Sequence, residues 1–290
     1  MTDKLSSPRV VRETLAALGA EPNKTLGQNF LIDANIVDIL IRSAEVKPSD
    51  RVLEIGPGLG VLTDALAGQA GSVVAVEKDR AFAAHLKARF ADNPRVTIIE
   101  ADFLDMDIPA LLAEHNVNKV VANLPYNTGT RMLVELIRSP NPPRTLVVTV
   151  QLEVGERLVA GAGDDAYGLL SVWAGVGYRV DLCKKISPTC FYPPPTVWSV
   201  VARLKARDPD GPVRPAPPLF YAMTKEAFQH RRKQLAGILD RAPDAMRLPP
   251  AATAELLAGL GANGRARPEE LSVEQWLELA ARVAALKKKQ

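Results

Sequence analysis

Between Arg51 and Gln151, five short β-branched runs alternate with helical stretches, and few folds accept that order. The runs are Arg51–Ile55, Ser72–Glu77, Val96–Glu100, Lys119–Asn123 and Thr145–Gln151. Their near-continuous apolar character calls for cover on both faces, the condition of a parallel sheet. Between them lie Leu62–Ala67, Asp79–Phe90, Pro109–His115 and Thr130–Arg138, with apolar residues at helical spacing. The pattern predicts an α/β fold. Two later runs, Leu170–Val176 and Val197–Leu204, are read as further strands, joined by a stretch with Phe191 and three prolines. Late neighbouring strands of this kind form an antiparallel edge.

The flanks read differently. Pro8–Leu18 is expected to be a helix ended by Gly19, and Glu21–Gln28 a polar loop. Asp33 is placed to cap a helix whose Ile36, Val37, Leu40 and Ile41 share one face. Asp208–Pro218 is proline-rich and reads as a linker, after which Phe220–Asp240, Ala251–Leu257 and Ser272–Leu286 are expected helices. The expected domains are 1–207 and 208–290.

Charge and cysteine usage narrow the classes. The 36 basic and 33 acidic residues leave a net charge of +3, which permits an acidic partner such as RNA without requiring one. Cys183, Cys190 and the three histidines show no metal-ligand spacing, so no metal is expected. Two cysteines give no disulfide framework and fit a reducing cytoplasm. Met1-Thr2-Asp3-Lys4 is polar, no apolar h-region follows it, and no apolar run reaches membrane-spanning length. A cytoplasmic protein with no membrane partner is expected. A monomer fits the absence of a heptad pattern.

Two motifs carry chemistry. Glu54-Ile55-Gly56-Pro57-Gly58-Leu59-Gly60 joins the first strand of the series to a helix. Glycines there let the backbone turn sharply and approach a ligand. A dinucleotide fingerprint wants glycine at position 61, and this chain has Val61, so a nucleoside cofactor without a pyrophosphate fits better. Glu77, ending the next strand, is placed to accept the ribose hydroxyl protons. Asp102, after the third, is placed to accept from the cofactor's adenine amine. Both sit on the ligand-binding edge of the sheet.

Asn123-Leu124-Pro125-Tyr126 ends the fourth strand. Pro125 stops the ladder and stiffens the turn. That turn can aim the Asn123 amide oxygen and the Leu124 carbonyl at one point, matching the two protons of an adenine N6 amine. Tyr126 offers a face for the base. Phe191, presented by Tyr192-Pro193-Pro194-Pro195, can supply an opposite aromatic wall. The chemistry inferred is methyl transfer from S-adenosylmethionine to adenine N6. A duplex hides N6, so the adenosine has to be splayed out. Arg231-Arg232-Lys233 lies on the expected helix Phe220–Asp240. Phe228, Leu235 and Leu239 would form its apolar stripe, with Arg232 near that stripe. Arg231 and Lys233 are the expected phosphate contacts. Lys287-Lys288-Lys289 reads as a solubilising tail.

Taken with Leu26-Gly27-Gln28-Asn29-Phe30-Leu31, Gln151-Leu152-Glu153-Val154, Tyr167-Gly168, Phe191–Ser199 and Phe228, these motifs resemble one family, the small-subunit (16S) ribosomal RNA adenine N6,N6-dimethyltransferases. The resemblance implies a class I methyltransferase fold, a Rossmann-like seven-stranded sheet with a small helical C-terminal domain. It also implies S-adenosylmethionine as cofactor and dimethylation of two adjacent adenosines near the 3′ end of the RNA during ribosome assembly. Asn29 and Leu31 then belong to a lid over the cofactor. Gly56, Gly58, Glu77, Asp102 and Asn123 contact it. Asn123, Leu124 and Tyr126 serve the target amine, and Phe191 stacks the base. Leu152, Leu169 and Ala101 depart from the family's usual lysine, arginine and glycine. The alternatives are a large-subunit adenine dimethyltransferase of the antibiotic-resistance type, a DNA adenine methyltransferase (for which no separate recognition insertion is evident), and a non-catalytic assembly factor.

Overall fold

The computed structural model describes residues 7–22, 27–208 and 210–288. Met1–Lys4, Leu26 and Lys289 lie outside the described residues. The first elements are α1 (Pro8–Ala17), β1 (Phe30–Leu31), α2 (Ala34–Ala44), β2 (Arg51–Ile55), α3 (Val61–Ala67), β3 (Ser72–Glu77) and α4 (Arg80–Arg89). Then come β4 (Val96–Glu100), α5 (Ile108–Glu114), β5 (Lys119–Asn123), α6 (Gly129–Arg138), β6 (Thr145–Gln151), α7 (Leu152–Val159) and α8 (Leu169–Gly177). The chain continues through β7 (Tyr178–Ile186), β8 (Phe191–Tyr192), β9 (Ser199–Ala206), α9 (Pro218–Gln229), α10 (Leu235–Leu239), α11 (Pro250–Ala258) and α12 (Val273–Lys287).

Seven strands form one sheet in the order β4-β3-β2-β5-β6-β9-β7. The first five are parallel, and β9 runs antiparallel to β6, with Gln151 opposite Ser199. This is the expected class I methyltransferase sheet. The order reverses between β2 and β5, and the crevice at such a reversal is where α/β sheets bind ligands. The glycine loop after β2 and the Asn123 turn after β5 therefore open onto one crevice. Leu40, Leu66, Val73, Val121, Val147 and Val201 pack a core between the sheet and the helices α2 and α3. Asp33 caps α2 as expected, its carboxylate accepting the Asn35 N–H at 2.8 Å.

The chain separates into two compact units. One runs to Gly155 and resumes over Arg179–Val213, and the other joins Glu156–Tyr178 to the residues from Arg214 onward. A cut at residue 207 thus misses Glu156–Tyr178. The reason is aromatic packing between residues distant in sequence. Tyr167 donates to the Leu271 carbonyl at 2.9 Å and meets Phe228 edge to face, while Trp173 donates to Thr224 Oγ1 at 2.9 Å.

Two expectations are corrected. Leu170–Val176 lies in α8, and the strand follows it as β7. Leu170, Val172, Trp173 and Ala174 are all buried, so the run reads as continuously apolar, a pattern in which periodicity does not separate helix from strand. The expected helix Phe220–Asp240 breaks after Gln229. Gln229 to Gln234 are six polar residues in a row with nothing to bury, so the apolar stripe lapses and Lys233 N–H closes a turn onto the His230 carbonyl at 2.8 Å. Arg231-Arg232-Lys233 consequently lies in a turn, not on a helix face.

Gly60 begins α3 at φ 87°, and a Cβ there would stand 2.6 Å from Leu86 Cδ2. Gly60→Ala therefore meets both a left-handed backbone and a clash. It is expected to lower unfolding free energy by about 2 kcal/mol, read from urea denaturation.

Candidate active site

The glycine loop has the strained backbone its composition predicts: Gly56, Gly58 and Gly60 all have positive φ. Closeness adds to the constraint, because a Cβ on Gly58 would stand 3.0 Å from the Phe30 ring. Phe30 belongs to β1, which pairs antiparallel with β8 so that Phe30 faces Tyr192 and Leu31 faces Phe191. The segment from Gly27 to Leu31 is thereby pinned over the loop. The cavity beneath is lined by that segment, the glycine loop, Glu77, Asp102 and the turn Asn123–Tyr126.

Three carboxylates face this cavity in three environments. Glu77 is 5% exposed, and each oxygen accepts one backbone N–H, from Gly58 at 2.9 Å and from Asp79 at 2.8 Å. Burial raises its pKa while those two N–H groups oppose the rise. Each oxygen keeps acceptor capacity for a ligand hydroxyl. Asp102 accepts from Leu104 N–H at 2.9 Å and is bridged by Lys78 Nζ at 2.7 Å, which holds its carboxyl below the usual range. The side chain thus caps the short turn after β4 while lining the cavity.

Glu54, fully enclosed in the cavity wall, was quoted in the motif but given no role by sequence. Burial pushes its pKa up to about 8, against the 2.7 Å hydrogen bond from the Thr63 hydroxyl and with Glu77 nearby adding to the rise. An acid at the last-but-one position of an otherwise apolar strand end is the signal that could have found it.

The Asn123 turn is organised by the lid segment. Asn123 Nδ2 donates to the Asn29 carbonyl at 2.9 Å, which turns Oδ1 the other way. Oδ1 is buried and has no hydrogen-bond partner among the described residues. A buried acceptor without a donor costs about 1–3 kcal/mol, so it marks a place where a ligand's N–H belongs. Leu124 N–H pairs with the Thr149 carbonyl at 3.3 Å, fixing the turn to β6. Gly27 packs against the backbone of Tyr126 and Asn127, with a built Cβ only 3.2 Å from each nitrogen.

Tyr126 lines the cavity, and its hydroxyl is hydrogen-bonded to Ser199 Oγ. Phe191 is 2% exposed, belongs to the core and is not part of the cavity lining. Its ring stands at 73° to Tyr126 with centroids 6.4 Å apart, an edge-to-face pair with no parallel gap for a base.

In the second unit, Arg231 is ion-paired with Glu269, and a guanidinium nitrogen also reaches the Asp164 carbonyl at 3.5 Å. The sequence placed Arg232 near the apolar stripe and offered Arg231 to phosphate, whereas in the structure Arg231 is the ion-paired residue and Arg232 is exposed. Arg232 and Lys233 are exposed, and with His230 and Arg267 they line a shallow basic groove.

A sequence model described as ribosomal RNA adenine dimethylase matches residues 19–285. The ribosomal RNA small subunit methyltransferase A of Alkaliphilus oremlandii is 35% identical over 286 residues, 97% of this chain and 99% of its own. The protein of the same name from Opitutus terrae is 38% identical over 285 residues, covering 95% and 98%. Among solved structures, a dimethyladenosine transferase from Plasmodium falciparum has the same fold, with a TM-score of 0.73 over 90% of this chain and 98% of its own at 23% identity. The 23S rRNA methyltransferase ErmE is 26% identical with a TM-score of 0.64, covering 88% and 99%. With a family match across nearly all of its length, the chain belongs to the ribosomal RNA adenine dimethylases and is an enzyme of that class.

Proposed function

We propose that the protein moves methyl groups from S-adenosylmethionine to N6 of two adjacent adenosines near the 3′ end of small-subunit ribosomal RNA during ribosome assembly. The observation that carries this reading is the buried, unpartnered Asn123 Oδ1 at the wall of a cavity that also holds Glu77, Asp102 and the glycine loop. The relatives named small subunit methyltransferase A support the choice of subunit.

The cavity suits the cofactor on its own chemistry. Glu77 has acceptor capacity left for two ribose hydroxyls. Asp102 lines the cavity and keeps acceptor capacity for an adenine amine beside its bonds to Leu104 N–H and Lys78, and the loop glycines let the backbone approach the ligand closely. Asn29 and Leu31 cover the site from the lid segment. The cofactor supplies an electrophilic methyl on a sulfonium. Asn123 Oδ1 and the Leu124 carbonyl accept the two N6 protons, which keeps the amine from lying flat in conjugation with the ring and turns its lone pair toward the methyl carbon. Tyr126 bears the base on its face, and Phe191 braces that ring edge-on from the core. Stacking on Phe191 itself requires the side chain to leave the core. The new N–C bond forms as the S–C bond breaks, and the cationic nitrogen then sheds its proton, so positioning does most of the work. Arg232 and Lys233 are the exposed cations for RNA phosphate, and Arg231 orders the turn that presents them.

The test is to incubate undermethylated small and large ribosomal subunits with labelled cofactor and map the product. Dimethyladenosine at two adjacent small-subunit positions is expected. Label confined to the large subunit overturns the assignment in favour of the resistance-type activity.

Asn123→Ala removes the acceptor and is expected to lower turnover about a hundredfold. Its thermal midpoint should stay close to wild type, and near-normal turnover would sink the role of Oδ1. The cofactor is cationic, so it favours ionised Glu54. Because the free protein's Glu54 titrates at about 8, affinity should rise with pH up to about 8 and level off above. At pH 7 binding should release protons from Glu54. Calorimetry in buffers of different ionisation enthalpy, wild type against Glu54→Gln, reads this, and the variant should lack that part of the proton release.

A further inference from the structure

The loop from Pro193 into β9 carries a side chain that the methyl transfer does not use. Trp198 is 47% exposed, whereas Trp173 and Trp276 are buried. Its backbone is not loose. The Trp198 carbonyl accepts Leu152 N–H at 2.9 Å, and the next residue, Ser199, is fully buried, in register with Gln151. Ser199 Oγ is also the partner of the Tyr126 hydroxyl. The indole is thus held out in water one residue from the group that anchors the base platform.

The surroundings are cationic. Lys185 Nζ lies 4.7 Å from the Trp198 ring centroid. Lys184, next to Lys185 in β7, is exposed as well, while the strand's one carboxylate, Asp181, is paired with Arg203 at 2.8 Å. A flat ring fixed by its backbone, with an ammonium group beside it, is the composition of a surface that stacks unpaired bases and meets their phosphates. An exposed tryptophan on a closed strand end otherwise gives up burial free energy for nothing.

We propose that Trp198 stacks an unpaired base that flanks the target adenosine, with Lys185 leaving the ring to meet the adjacent phosphate. The proposal rests on the reading of the site as an RNA adenine methyltransferase. A flanking nucleotide held here would keep the target strand splayed while Asn123 holds the amine, so the effect belongs in substrate binding and not in the chemical step.

Trp198→Ala is expected to raise KM for undermethylated small subunits about tenfold, with kcat little changed. Trp198→Phe should recover most of the loss, because it keeps a stacking face. Cofactor affinity should match wild type in both, which excludes misfolding as the cause. Separately, a single-stranded RNA fragment from the 3′ end of the small-subunit RNA should quench the Trp198 emission, read as wild type minus Trp198→Phe. An unchanged KM in an otherwise active Trp198→Ala protein overturns the stacking role and leaves methyl transfer standing. Quenching at Trp198 in a wild-type protein that methylates neither subunit supports the stacking role and overturns the proposed function. The absence of any Trp198 quenching difference counts against the stacking role.

Discussion

One hydrogen bond, from Asn123 Nδ2 to the Asn29 carbonyl, sets the direction of the reacting end of the site. An amide side chain has a donor end and an acceptor end, and whichever end the protein engages decides what is left for substrate. Here the donor is engaged by the lid segment, and the acceptor is left buried without a partner among the described residues. The lid is fixed in turn by the short β1–β8 ladder and by Gly27 lying against the Tyr126–Asn127 backbone. Neither constraint involves the sheet's own ladder. The sheet brings β2 and β5 side by side, and the lid then orients what those strands deliver.

The same division separates what was legible in the sequence from what was not. The strand and helix series from Arg51 to Gln151 was legible because each element's pattern is local, and the ends of those elements place the glycine loop, Glu77, Asp102 and Asn123 without further information. The features that failed depend on partners far away in the chain. Leu170–Ala174 are five consecutive buried residues, and a run buried all round carries no period to read. The basic triplet looked helical because Phe228, Leu235 and Leu239 sit at helical spacing. Six intervening polar residues break the helix, and Glu269, thirty-eight positions on, claims Arg231. The domain boundary at residue 207 followed composition, whereas Tyr167 and Trp173 join the C-terminal helices through hydrogen bonds that composition does not record.

The three cavity carboxylates illustrate how one residue type is given separate tasks by its surroundings. Asp102 has a lysine beside it and stays ionised. Glu77 has backbone N–H groups on both oxygens and is desolvated, so two effects of opposite sign act on it. Glu54 has a single hydroxyl donor and complete burial, and burial prevails. Sequence reasoning singled out the first two because they end strands, where ligand chemistry is expected, and both line the cavity. Glu54 sits inside a strand, where the ordinary expectation is an apolar side chain, and that breach of pattern was itself information.

Asn123 Oδ1 and Glu54 are both buried polar groups that the described residues do not fully satisfy. A protein optimised for stability alone would pair or replace them, since a buried acceptor without a donor and a buried carboxyl each weaken the fold. Retaining both at the wall of one cavity makes sense if their partners come with the ligands: a cation for the carboxyl and an amine for the amide oxygen. The two demands point the same way. On the proposed reading, a cavity that is costly when empty and satisfied by a cation beside an aromatic amine would favour methyl transfer to a base nitrogen.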